Sequence, residues 1–273
     1  MRRTQRALAI AAFTALVSCS TPALPGSTPT TTAVTLRLYA VTATAPLVAD
    51  LTTAYSQLNP AVRFETVSGD YQAMVDRLRR GEMPYFVSNH LPIDSVLWGA
   101  PIGQDGIAIV THLQVGVRGL SLAQLRDIYQ GEITRWCDVA GADLPIAVIT
   151  REDGSGTRAE FERLVMGDRR TTPNAEIVPT SKAMMTRVAQ LPGSIGYVSM
   201  SHLDATVRAL EVEGIAPTPE NVAKNIYPLR STLYVVGLVE PDSDFRAFIG
   251  WVQSPAGQAI VARHNAPVLV TTP

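Results

Sequence analysis

The chain's 273 residues are 46% hydrophobic and 17% charged, with a formal net charge of −1, enough for a sizeable core in one large domain or two lobes. A balance so close to neutral argues against nucleic acid as a partner, because gripping a phosphate backbone takes a basic face. Any anion has to be held by a local set of donors, since the overall field offers no attraction.

The first stretch reads as a targeting segment. "MRRTQR" is a basic head and "ALAIAAFTALVS" an apolar run too short for a permanent span. It ends in Leu16-Val17-Ser18-Cys19, which resembles a bacterial lipobox, so residues 1–18 are expected to be removed and Cys19 lipidated. Residues 19–33, rich in Ser, Thr and Pro, read as a tether. With Cys19 acylated, Cys137 has no disulfide partner and reads as a small, partly buried side chain. His90, His112, His202 and His264 are scattered without paired ligand spacing, so no metal or cofactor is expected.

"VTLRLYAV" at 34–41 alternates into a strand. Thr44 and Pro46 open a helix carrying Leu47, Leu51, Ala54, Tyr55 and Leu58 on one face, closed by Asn59-Pro60. "VRFETV" is a second strand, "SGD" at 68–70 starts a helix with Met74, Val75 and Leu78, and "YFVS" at 85–88 is a third strand. This βαβαβ order predicts a parallel sheet with helices on its faces and a ligand where strands end and helices begin. "GIAIVTH" at 106–112 is a strand, and 121–131 a helix with a Ser121/Gln124 capping box and Gly131 as its stop. "LPIAVIT" leads into helix 157–166, a strand near 176–179, a helix at 181–191 and the strand "SIGYVSM". The long strand "STLYVVGLV" at 231–239 precedes helices beginning near Asp244 and Ser254.

The stretch "ITREDGSGTRAEFERLV" at 149–165 carries the chemistry. Its glycines let the backbone come close to a ligand, and Ser155 and Thr157 offer hydroxyls at a helix start. Spacing alone fits an anion cradle or an ordinary helix cap. Gly154-Ser155-Gly156 is not the Gly-x-Ser-x-Gly elbow of a nucleophile, so no enzyme is expected.

Together with "PIGQDGIAIVTH", "LSLAQLRDIYQGEITRWCDV", "LPGSIGYVSM" and "NIYPLRSTLYVVGLV", this motif resembles the phosphate-binding subunits of phosphate ABC transporters, within the periplasmic-binding-protein superfamily. The matching segments fall in family order across most of residues 36–265. The resemblance implies an α/β fold of two lobes, each a mostly parallel sheet flanked by helices, joined by two crossing strands. The first lobe is expected over 34–105 and 229–273, the second over 106–228.

It also implies a phosphate site between the lobes. Arg151, Ser155, Gly156 and Thr157 map onto the family's oxyanion loop, with Asp153 expected to pair with Arg151 and fix its fork. Two helix starts, Thr44-Ala45 and Ser68-Gly69, are expected to donate from the opposite lobe, although plain capping explains Thr44 equally well. The family often places an aspartate where this chain has Asn89, after Ser88; an amide oxygen still accepts a proton but lacks the charge that rejects sulfate. Asp105 and His112 lie near the first crossing, Asp105 fitting a hinge or a surface turn equally well.

The function implied by the resemblance is that of a monomeric, extracytoplasmic, lipid-anchored protein that passes inorganic phosphate to a membrane ABC permease. Sulfate, molybdate or tungstate binding, or a non-transporting phosphate sensor, remain as alternatives.

Overall fold

A computed structural model describes residues 33–268. The leader 1–18, the lipidation candidate Cys19 and all but the last residue of the tether lie outside the described residues. In chain order the first elements are β1 (Val34–Val41), α1 (Ala45–Leu58), β2 (Val62–Glu65), β3 (Ser68–Gly69), α2 (Tyr71–Arg79), β4 (Tyr85–Ser88) and β5 (Trp98–Thr111). Then come β6 (Gly119–Leu120), α3 (Leu122–Gln130), β7 (Ala147–Arg151), α4 (Gly156–Phe161), β8 (Glu176–Val178), α5 (Ser181–Gln190) and β9 (Ser194–Ser199). The chain closes with β10 (Arg208–Val212), α6 (Pro219–Ala223), β11 (Arg230–Gly237), α7 (Ser243–Gln253) and α8 (Pro255–Val261).

One open sheet runs in the order β2-β1-β4-β11-β5-β9-β7-β8. Its two ends are parallel: β1 pairs with β2 and β4, and β7 with β8 and β9. Between them β4–β11, β11–β5 and β5–β9 are antiparallel, so the middle of the sheet is made by the two crossing strands. β5 serves both ends, pairing with β11 over 98–106 and with β9 over 107–111.

Burial follows the same division. β1 alternates only at its start and is buried on both faces from Leu38 on, because helices cover both sides. Leu36, Leu38 and Ala40 pack with α1, α7 and α8, while Tyr39 and Val41 pack with Met74, Val75 and Leu78 of α2. A separate core gathers Ile107–Val110, Leu125, Ile128, Trp136, Phe161, Met184, Val188 and Tyr197 around β5, β7 and β9.

Several expected elements differ in their bounds. "VRFETV" and the following "SG" form two strands, β2 and β3, and Ser68-Gly69 starts no helix. Asp70 occupies the cap of α2 instead, its carboxylate accepting from the Ala73 amide at 2.7 Å. The helix expected over 157–166 splits into α4 and a π-helical turn, Glu162–Met166. The expected Ser121/Gln124 capping box is present, and Gly131 ends α3 at φ 84°. Cys137 is exposed rather than partly buried. His112 lies past the far end of β5, where its ring accepts from the Gln114 amide at 3.2 Å. Asp105 is fully buried within β5, not in a surface turn.

Candidate oxyanion site

β7 delivers Arg151 at its C-terminal end, and an aromatic group underneath fixes that end. Phe161 and Tyr197 stack with ring centres 4.1 Å apart and planes 5° from parallel, with Tyr129 against both. The Tyr197 phenol meets Thr150 Oγ1 at 2.8 Å and accepts from the Arg151 amide at 3.3 Å. Burial drives that phenol to about 12 and keeps it neutral, a fixed post rather than a titrating group.

The Arg151 side chain is 1% exposed. One edge of its fork is held by the next residue: Nε and Nη2 donate to the two Glu152 oxygens, each at 2.8 Å. The other edge faces Ser181 Oγ at 3.3 Å from Nη1 and Thr42 Oγ1 at 3.1 Å from Nη2. The two hydroxyls lie 3.4 Å apart, so three polar groups from β7, α5 and the segment after β1 converge. Asp153 does not pair with Arg151. It is exposed and pairs with Arg158, whose guanidinium also donates to the Arg151 carbonyl at 2.8 Å and to Glu162 Oε1 at 2.8 Å. Glu152 supplies the fork's partner because the turn after Arg151, closed by the Ser155 amide on the Glu152 carbonyl at 3.1 Å, brings its carboxylate back and sends the Asp153 side chain to solvent.

Ser155, Gly156 and Thr157 follow, all buried. The Ser155 hydroxyl caps α4 by accepting from the Arg158 amide at 3.3 Å, which leaves its own hydrogen to donate. Thr157 Oγ1 accepts from Asn89 Nδ2 at 3.1 Å and likewise keeps its hydrogen. Asn89 is 1% exposed and its Oδ1 is buried without a partner. A buried amide oxygen left unpaired is costly unless something donates to it.

Thr44 and Ser68 do not behave as expected. Thr44 stands before α1, but its hydroxyl turns inward to the carbonyls of Val87 at 2.8 Å and Val41 at 3.2 Å. Ser68 sits on β3 beside Ala40, exposed, where it lines with Thr42, Ala45, Lys182 and His202 a hollow of about 450 Å³ at the mouth of the site. Gly69 beside it accepts the Thr42 amide at 2.9 Å through its carbonyl.

Thr42 and Ser181 escaped the sequence reading. Thr42 is two residues from the threonine that reading selected, and Ser181 follows a cap residue in a stretch with no glycine or arginine to mark it. His202 Nε2 lies 3.0 Å from the Thr42 carbonyl, and burial pushes that imidazole toward its neutral form.

The loop after β7 sits tightly against the first core. The Gln72 amide donates to the Gly154 carbonyl at 3.2 Å, and a Cβ on Gly154 would stand 2.8 Å from Asp70 Oδ1. A Cβ on Gly156 would meet the His90 Cβ at 2.9 Å and the Tyr71 Cβ at 3.4 Å. Beside it, His90 Nδ1 lies 2.7 Å from Glu160 Oε1. Burial opposes the Glu160 charge, but the bonds from His90 and Arg163 outweigh it and hold the carboxyl below its usual range.

The chain is similar to known proteins in sequence and fold. The family profile described as PBP superfamily domain covers residues 25–256. A protein of Clostridium perfringens, described as a putative phosphate ABC transporter substrate-binding protein with bound phosphate, superposes with a TM-score of 0.81 at 31% identity, covering 86% of this chain and 99% of that one. An ABC-type phosphate transport receptor from Vibrio cholerae gives a TM-score of 0.69 at 26% identity, over 85% of this chain and 99% of its own. The phosphate-binding protein PstS of Bacillus subtilis is 29% identical over 167 residues, 61% of this chain and 55% of the relative. The chain thus spans a little over half the length of the Bacillus relative. With the profile spanning most of the described residues and the two-lobed architecture shared across these structures, the chain belongs to the PBP (periplasmic-binding-protein) superfamily and is similar to its PstS-like, phosphate-binding members.

Proposed function

We propose that this protein binds inorganic phosphate between two lobes and hands it to an ABC permease. The observation that carries the reading is the buried Arg151 fork, whose second edge meets Thr42 and Ser181, followed in the chain by the buried Ser155 and Thr157 hydroxyls, with Asn89, its Oδ1 unpaired, bonded to Thr157. Such a set offers one cation, several neutral donors and one acceptor, which suits an oxyanion carrying a proton of its own. The chain's near-zero net charge fits recognition by contact rather than by long-range field. The relatives with the same architecture are described as phosphate-binding or phosphate-transport proteins, which supports the same ligand here.

The lobes are residues 34–105 with 229–273, and 106–228, in keeping with the separate cores. Closure brings Gly154 and Gly156 onto Asp70 and His90, and opening about β5 and β11 admits the ligand. The leader and Cys19 make the protein extracytoplasmic and lipid-anchored. Among the described residues no helix is long and apolar enough to cross a membrane, and the lipobox-like Leu16-Val17-Ser18-Cys19 supports Cys19 as the attachment. We assign binding rather than catalysis, and a monomer.

Calorimetric titration of the purified protein, stripped of bound ligand, tests this with phosphate and then sulfate. Saturable phosphate uptake at one site per chain is the expected result; the absence of phosphate uptake overturns the reading. A second test targets closure. Gly156→Val puts carbon where the His90 Cβ already stands and is expected to cost about 1–3 kcal/mol of the closed state. Phosphate affinity then falls about tenfold or more while the unfolding transition in urea stays cooperative. An unchanged affinity removes Gly156 from the contact surface.

A further inference from the structure

Asp105 is a buried carboxyl that the oxyanion cradle does not use directly. It stands on β5 opposite Ser231 of β11, at the crossing. Its Oδ1 accepts from Ser199 Oγ at 2.9 Å and from Asn265 Nδ2 at 3.1 Å. Its Oδ2, equally buried, has no partner of ordinary geometry. The Asn89 side chain neighbours the carboxyl and favours its ionised form.

The Asn89 amide carries two N–H hydrogens and one carbonyl oxygen. One hydrogen goes to Thr157 Oγ1 at 3.1 Å. The Asp105 carboxyl is at hand for the other. Oδ1 is then left over, 3.5 Å from where a Cβ on Gly156 would stand, on the side of the oxyanion loop.

We propose that Asp105 is a positioning residue for ligand choice: its carboxylate takes one amide hydrogen of Asn89 and so holds Asn89 Oδ1 toward the bound oxyanion as an acceptor. The proposal rests on the phosphate reading and deepens it. Turning the amide over sets its oxygen against an ionised carboxylate in a dry interior, an arrangement of two facing acceptors that is strongly disfavoured. A fixed acceptor accommodates monobasic phosphate, which brings a proton to share. It rejects sulfate, which brings only lone pairs. The negative charge absent at Asn89 is thus restored by a residue behind it.

The device responds to pH. Burial lifts the Asp105 carboxyl to about 7, opposed by the Ser199 hydroxyl and by the polar groups of Gly106, Met200 and Asn89 around it, which favour the ionised form. Once protonated, the carboxyl can donate to the Asn89 oxygen, and the turned amide then presents N–H to the ligand. Sulfate affinity therefore rises as pH falls through about 7. The groups facing Asp105 come from the residue after β4 (Asn89), β5 (Gly106), the end of β9 and the residue after it (Ser199, Met200), the segment before β11 (Tyr227) and the C-terminal segment (Asn265). Of these Tyr227 is ionisable, and burial drives its phenol well above the range concerned. His90, bonded to Glu160, and His202, at the Thr42 carbonyl, border the cradle from outside this group.

The experiment is calorimetric titration of the full-length protein with phosphate and with sulfate at about pH 8 and about pH 6, as wild type, Asp105→Asn and Asn89→Ala. In the wild type, sulfate binding is expected to strengthen about tenfold between the higher and lower pH, the equivalent of one hydrogen bond. Asp105→Asn is expected to lower the phosphate-to-sulfate preference about tenfold at the higher pH and to abolish the sulfate pH dependence. A variant that keeps the wild-type preference and pH profile overturns the proposal, as does one that weakens both anions equally, which marks a purely structural role. If Asp105→Asn does not fold, Asn89→Ala decides: loss of the sulfate pH dependence supports the relay, and its persistence overturns it. A wild type that binds no phosphate overturns the phosphate reading and this proposal together, whereas phosphate binding with a preference unmoved by Asp105→Asn overturns this proposal alone.

Discussion

Arg151→Ala is expected to weaken phosphate binding by about a hundredfold or more while the protein still unfolds cooperatively. In the proposed site the guanidinium is the cation; it is 1% exposed, and Glu152 holds one edge of its fork. Truncating one member of a buried, hydrogen-bonded charge set costs about 2–5 kcal/mol, and each 1.4 kcal/mol or so is a factor of about ten in affinity. The fold tolerates the loss because Glu152, 23% exposed, can take water in place of its partner. Arg151→Lys keeps the charge but cannot span Ser181, Thr42 and both Glu152 oxygens, so it falls between wild type and alanine. Calorimetric titration with phosphate is the measurement. An alanine variant with wild-type affinity removes Arg151 from the site.

The largest effect on stability is expected at Trp136. Its ring is fully buried in the core around β7 and β9, and its Nε1 donates to the Gly193 carbonyl at 2.8 Å. Gly193 itself holds φ 77° with the Pro145 carbonyl where a Cβ would be, so the turn before β9 has little freedom to collapse into a void. Trp136→Ala therefore costs about 3–5 kcal/mol, through cavity and orphaned carbonyl together. Equilibrium urea unfolding reads it, with Trp136→Phe expected to recover part of the loss. A cost below about 1 kcal/mol shows that the site repacks.

Local signals were legible where one residue type has one job. The capping box at Ser121, the stop at Gly131 and the alternation opening β1 were readable because each depends on near neighbours. The stretch from Arg151 to Thr157 was readable as a strand-to-helix motif, and Arg151, Ser155, Gly156 and Thr157 are all buried along it. What could not be read was which of two similar neighbours points inward. Glu152 and Asp153 are adjacent carboxylates, and only the turn decides which reaches the guanidinium. Thr42 and Thr44 are two residues apart, and the chain bends between them, so Thr44 satisfies the Val41 and Val87 carbonyls while Thr42 faces Arg151. Ser181 meets Arg151 across 30 positions of sequence, and no local pattern announces it. Ser68-Gly69-Asp70 looked like one cap, but pairing with β1 claimed the first two residues and left the third to start α2.

The path of the sheet also bears on how the chain is made. The core around β7 and β9 is almost contiguous, built from residues 107 to 229 with Ala266 added. The first core is split: Leu36 and Leu38 wait for Leu233, Val235 and Phe248, which leave the ribosome much later. During synthesis the middle of the chain can therefore complete its own packing while the N-terminal part lacks β11, the partner of β4. Such distant pairing delays the last step of folding, because the long closure is entropically costly before any contact repays it. For a chain whose first residues read as a targeting segment, a first core that cannot finish until the last quarter arrives delays completion of the fold until synthesis is nearly over.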